Sequence, residues 1–135
     1  MDNITHLVVS YFLGKYLMSI GLIFQKIEFW TFVLWGGFLI DIDHLFYFFG
    51  KYGKLGLKKL VKKWWEYGKN MRPGFYIFHS PEFTLLLMFL SFFNKIIFVM
   101  FLSQILHLIL DIIPHYIVHG NFIFIKKWSI IHNLT

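Results

Sequence analysis

Between residues 29 and 49 the chain is almost continuously apolar, yet near the end of that stretch it carries Asp41, Asp43 and His44 within four positions. That combination constrains the fold more than any other feature. A segment so apolar leaves water, and there each backbone N–H and C=O needs a partner inside the structure, which a helix supplies from its own backbone. The ionisable residues are costly to bury, so other segments must bring groups that pair with them. A helix alone cannot satisfy both demands; a bundle of helices can.

Composition agrees. Hydrophobic residues make up 58% of the 135-residue chain and charged ones 15%, against about 25% charge in an ordinary soluble domain. A disordered chain is excluded by this hydrophobicity, and the lack of cysteine excludes both a disulfide scaffold and a thiolate metal site. The opening residues lack the basic start of a cleavable signal, so the first apolar stretch is expected to stay on the protein. One membrane-embedded domain over residues 1–135 is expected.

Apolar stretches at 7–24, 29–49, 83–93 and 96–113 predict an all-α fold, a small polytopic bundle of about four apolar helices. Crossing about 30 Å of hydrocarbon takes about 20 residues, and the third stretch falls short. Its start at Ser80, Pro81 and Glu82 offers an N-cap hydroxyl, a proline in the first turn and an acid beside it. A hairpin is expected at Asn94 and Lys95.

Residues 51–72 hold eight of the thirteen Lys and Arg residues against one acid, Glu66. Leu57, Leu60, Val61, Trp64 and Trp65 fall on one helical face, with Lys58, Lys59, Lys62 and Lys63 on the other. This predicts a basic amphipathic helix lying in the interface and preferring anionic phospholipid. The positive-inside rule places 51–72 and both termini in the cytoplasm, in a multi-pass protein of the inner or plasma membrane. Because the charge sits beside the membrane, no nucleic-acid partner is expected. The tail from Asn121 to Trp128 reads as an interfacial anchor.

His6, Asp41, Asp43, His44, His79, His107 and Asp111 lie in or beside the apolar stretches and are functional-site candidates. Counted along helices from the outer turns, they fall roughly 18–30 Å down, near the cytoplasmic side. His107 and Asp111 are spaced i, i+4, and Asp41 and His44 i, i+3, so each pair shares a face on which two ligands can reach one ion. Asp43 points elsewhere on a regular helix, so it is expected either to orient a histidine or to hold a second ion, and it is the candidate general base. Imidazole with carboxylate suits zinc, iron or manganese, and carboxylate alone magnesium; zinc is the first choice, with one to three ions. Gly36 and Gly37 read as close helix packing, and His115 and His119 as interfacial residues.

The order of these motifs is familiar. Thr5-His6, then Asp41-Ile-Asp43-His44 after Gly36-Gly37, then His79-Ser80, then His107-x-x-x-Asp111 resembles the family of inner-membrane-associated, metal-dependent hydrolases, itself distantly similar to zinc-dependent phospholipase C. In that family a proline stands where this chain has Ile40. The resemblance implies that all seven residues contribute to the metal site, and that the chain hydrolyses phosphoester bonds, in a lipid or lipid-like substrate, with a metal-activated water. Two alternatives use the same residues: a non-catalytic metal-binding or ion-handling membrane protein, and a pseudoenzyme scaffold acting through 51–72.

Overall fold

The computed structural model describes residues 3–23, 25–54, 56, 58–59, 62–63, 76–119 and 129–131. Helix α1 spans Asn3–Ser19. It stops at Gly21, whose φ of 75° only glycine adopts readily. The Gly21 N–H bonds the Met18 carbonyl and the Leu22 N–H bonds the Leu17 carbonyl, the double closure of a Schellman end. Helix α2 (Lys26–Leu34) runs through a π segment, Trp35–Leu39, into α3 (Ile42–Tyr52). Helix α4 (Pro81–Ser91) and helix α5 (Lys95–His119) form a hairpin.

The local signals act as their chemistry dictates. Ser80 Oγ accepts from the Phe83 N–H at 3.1 Å and caps α4, with Pro81 in its first turn. Asn94 Oδ1 accepts from the Ile96 N–H at 2.8 Å and opens α5. The carboxylate of Glu28 accepts the Gln25 N–H at 3.2 Å and meets Lys95 Nζ at 3.0 Å, tying the start of α2 to the start of α5.

Helix α1 packs on α2 and the π segment, and α2 packs on α5. At the end near these turns the interior is apolar: Ile23, Phe29, Phe32, Val33 and Val99, flanked by Leu13, Leu17, Met18, Leu102 and Leu106. Elsewhere buried apolar residues (Ile40, Phe48, Tyr76 and Leu87) are mixed with many polar ones, among them His6, Ser10, Asp41, Asp43, His44, His79, Ser103, Gln104 and His107. Large apolar side chains such as Phe12, Phe46, Phe89, Phe92, Phe93 and Ile117 are exposed. Polar groups inside and apolar ones outside is the arrangement expected of helices in lipid.

Against about four apolar helices, two among the described residues are long and apolar enough to cross a membrane, Lys26–Tyr52 and Lys95–Ile113. Helix α1 has 17 residues and α4 has 11. At 1.5 Å per residue they reach only about 26 Å and 17 Å, because Gly21 and Ser80 end them early. Lys58, Lys59, Lys62 and Lys63 are exposed. Trp64, Trp65 and the tail from Asn121 to Trp128 lie outside the described residues.

Candidate metal centre

Helix α5 presents Ser103, Gln104, His107 and Asp111 at the three- and four-residue steps of one helical face. Against that face lie the π segment and the short run from Tyr76 to Ser80. The π segment is the decisive local departure. The Ile40 N–H reaches back five residues to the Trp35 carbonyl, and the Asp41 N–H bonds the Phe38 carbonyl. The Gly36 carbonyl is thereby left to accept from His107 Nδ1 at 2.6 Å. Single π turns inside α-helices recur at functional sites because they turn a backbone group or side chain out of register.

Just beyond the π segment, Asp41 stands at the N-cap of α3 and Asp43 and His44 in the first turn, and all three are buried, at 7%, 7% and 8% exposure. Asp43 diverges from Asp41 on the helix, but His79 reaches both, one through each ring nitrogen. Gly36 and Gly37 make the approach possible. A Cβ on Gly36 would overlap the Ser103 side chain, and one on Gly37 would come within 2.8 Å of the Leu7 Cα. Their role is close packing, as the sequence reading holds.

Four side-chain atoms then converge: His79 Nε2, His107 Nε2, Asp41 Oδ1 and Asp111 Oδ2. The two nitrogens are 3.3 Å apart. His79 Nε2 lies 3.4 Å from Asp41 Oδ1 and 3.5 Å from Asp111 Oδ2; His107 Nε2 lies 3.5 Å and 3.3 Å from the same oxygens. Ligands about 2.0–2.1 Å from a tetrahedral centre stand about 3.3–3.4 Å from one another. The five separations that involve a histidine nitrogen have those dimensions, and the two carboxylate oxygens lie within 4.8 Å of each other.

Its hydrogen bonding makes the same point. A carbonyl oxygen only accepts, so His107 Nδ1 donates to Gly36. His79 Nδ1 donates to the Asp43 carboxylate, whose Oδ2 lies at 3.2 Å and also accepts the Phe78 N–H at 3.0 Å. With both Nδ1 atoms committed as donors, each neutral imidazole turns a lone pair inward from Nε2. Two such lone pairs and two carboxylate oxygens cannot face one another without a positive charge among them. In the metal-free protein a proton supplies it: burial pushes the His79 imidazole down, but Asp111, Asp41 and Asp43 together outweigh burial and hold it well above the ordinary histidine range. A divalent ion supplies the charge more fully, and a buried Asp/His cluster of this kind could hold one.

The remaining candidates surround this set. His6 donates from Nε2 to Asp111 Oδ1 at 3.0 Å and stacks on the His107 ring, centroids 4.0 Å apart. His44 Nε2 lies 3.6 Å from Asp41 Oδ1, with its ring 4.0 Å from that of Tyr76. Asp43, His44 and His79 also form a second group of potential ligands. Asp43 Oδ1 is buried without a hydrogen-bond partner among the described residues. All seven candidates are therefore brought together. The side chains of His115 and His119 lie outside the described residues.

Three supporting residues are absent from the sequence-based candidates. Gln104 accepts from Trp35 Nε1 at 3.0 Å and donates to the Phe78 carbonyl, linking the π segment to the run that carries His79. Ser103 Oγ donates to the Phe32 carbonyl at 2.5 Å. The signal for Ser103 and Gln104 is their position one turn before His107, on the same face; Trp35 carries none. No family model, curated protein or solved structure matches the chain, so a functional reading rests on these residues and their geometry.

Proposed function

We propose that this chain is a membrane-bound, metal-dependent hydrolase of phosphoester bonds, with zinc at the His79, His107, Asp41 and Asp111 cluster and a lipid or lipid-like substrate. The observation that carries the reading is the convergence of four lone-pair donors, with each histidine Nε2 3.3–3.5 Å from the other three atoms and both histidines oriented by a second hydrogen bond. A divalent ion bound there supplies Lewis-acid charge for a phosphoryl oxygen and acidifies water. The chain's own part is to orient and to accept. Asp43 holds His79 through Oδ2 and has Oδ1 free to take a proton from an attacking water.

Access supports a one-sided site. Asp111 and Asp41 are the most open of the four ligands, at 15% and 9% side-chain exposure, while the opposite end of the bundle is closed by the apolar cluster of Phe29, Phe32 and Val99. An ion carrier needs polar groups to continue through that end. The exposed lysines at 58, 59, 62 and 63 would draw the site toward anionic lipid on the cytoplasmic face of a multi-pass protein. The motif order shared with the inner-membrane metal-dependent hydrolases supports the same class.

A second reading has its own observation. Four protein atoms fill a tetrahedron, and closed zinc sites of that kind are structural. The two readings separate on one experiment. Purified protein is assayed for metal content and for hydrolysis of soluble phosphodiesters and of phospholipid vesicles, before and after chelation. Metal-dependent turnover supports the hydrolase, and its preference between the two substrates identifies the source of the phosphoester. Bound metal without turnover supports the structural centre, and absence of metal overturns both.

A further inference from the structure

His6 stands among the metal-ligand candidates by sequence, yet its geometry serves a different purpose. Its ring is 1% exposed, and Nε2 points at Asp111 Oδ1, whereas the His79–His107 pair meets Asp111 through Oδ2. A carboxylate has no proton to give, so His6 is the donor. The ring is also pinned face to face against His107, at an interplanar angle of 21°. Asp111 thus has its two oxygens assigned to different tasks: Oδ2 stands 3.3 Å from His107 Nε2 and 3.5 Å from His79 Nε2, while Oδ1 is held by His6. His6 Nδ1 is buried without a hydrogen-bond partner among the described residues, so the mooring depends on Nε2.

A carboxylate can bind an ion through one oxygen or through both. If both oxygens of Asp111 turned to the ion, they would take the position an incoming water or anion needs. We propose that His6 is a positioning residue that keeps Asp111 a one-oxygen ligand and so leaves the ion able to accept an additional small ligand. The inference rests on the metal-centre reading above. It assigns His6 a place outside the ligand set, acting through Asp111, and it explains how a cluster with four protein ligands could still admit a reacting molecule. Partners that orient metal ligands typically change affinity or activity about 10–100-fold when removed.

The test uses the full chain loaded with cobalt(II), whose visible spectrum reports coordination number, and azide as the added ligand. The unsubstituted protein should take up cobalt and change its spectrum on azide addition. His6→Gln places an amide N–H where Nε2 stands and should retain azide binding. His6→Asn places its amide where Nδ1 stands, removes the His6 bond to Asp111 Oδ1, and should weaken azide binding about tenfold or more with cobalt retained. Equal azide affinity in both variants, or loss in His6→Gln as well, would overturn the positioning role while leaving the metal centre intact. Failure of the unsubstituted protein to bind cobalt would instead overturn the metal-centre reading, and the inference with it.

Discussion

His79 and His107 face each other through their Nε2 atoms at 3.3 Å, while their Nδ1 atoms donate in other directions, to Asp43 and to the Gly36 carbonyl. One histidine comes from the run before α4 and the other from the middle of α5, so the pair closes only when the α4–α5 hairpin and the π segment dock together. Its stability depends on the positive charge between the nitrogens, and several expectations come from that dependence.

Replacing either histidine removes one of four converging atoms, and the loss of a neutral nitrogen donor weakens the hold on a borderline metal. His79→Ala and His107→Ala should each lower retained metal by more than about 100-fold, and Asp43→Asn, which alters the carboxylate that holds His79 and the Phe78 N–H but removes none of the four atoms, by about 10–100-fold. Lys58→Ala should retain the full amount, since Lys58 is exposed and forms no part of the cluster. Metal analysis after dialysis checks the series; equal retention in all four would show that the cluster does not bind the metal.

Metal uptake should release protons. The metal-free His79 has its imidazole raised above the ordinary histidine range, so it is protonated at neutral pH and must lose that proton to bind an ion. In the metal-free protein this raised group contributes stability in full below about pH 6.5, the ordinary histidine value, and the contribution is lost as pH rises through the folded value. Metal affinity has the opposite sign and should rise with pH. Calorimetry in buffers of different ionisation heat should find about one proton released per ion at pH 7; zero release would contradict the protonated His79.

The glycines should separate sharply. Gly37→Ala drives a methyl group into the Leu7 backbone and should destabilise the fold by about 1–3 kcal/mol. Gly36→Ala should lose metal as well as stability, because the segment that moves carries the acceptor of His107. Gly50→Ala, with nothing within 4 Å of the added carbon, should stabilise α3 by about 0.5–1 kcal/mol. Thermal unfolding in detergent, with metal content read in parallel, distinguishes the three.

Glu82 should hold the tail. Its carboxylate accepts the Ser129 hydroxyl at 2.5 Å and the Ile130 and Ile131 N–H groups at 3.1 and 3.2 Å. Partial burial pushes its carboxyl up, but those bonds outweigh it and bring it down to about 2. The docking is therefore present above the ordinary glutamate range and lost as pH falls toward that value. Hydrogen exchange at Ile130 and Ile131 should quicken in Glu82→Gln and leave the His107 turn of α5 unaffected. Unchanged exchange at those two amides would exclude the tether.

The apolar stretches, the Ser80 cap, the Asn94 turn and the polar spacing on α5 are legible along the chain because each depends on residues a few positions apart. Helical periodicity was enough to pair His107 with Asp111 and to mark Gly36 and Gly37 as packing residues. The engagement of Asp43 is not legible, since it depends on the run from Tyr76 to Ser80 bringing His79 and the Phe78 N–H against it. Nor is the division of labour among the seven candidates: His79 and His107 offer lone pairs only because Asp43 and the Gly36 carbonyl take their other nitrogens. Local pattern along the chain was sufficient for apolar helices and for a set of ionisable residues that had to find one another. Which of them face a common centre, and which only orient a neighbour, was decided by tertiary packing, because hydrogen-bond direction and separations of 3.3–3.5 Å arise only once distant segments meet.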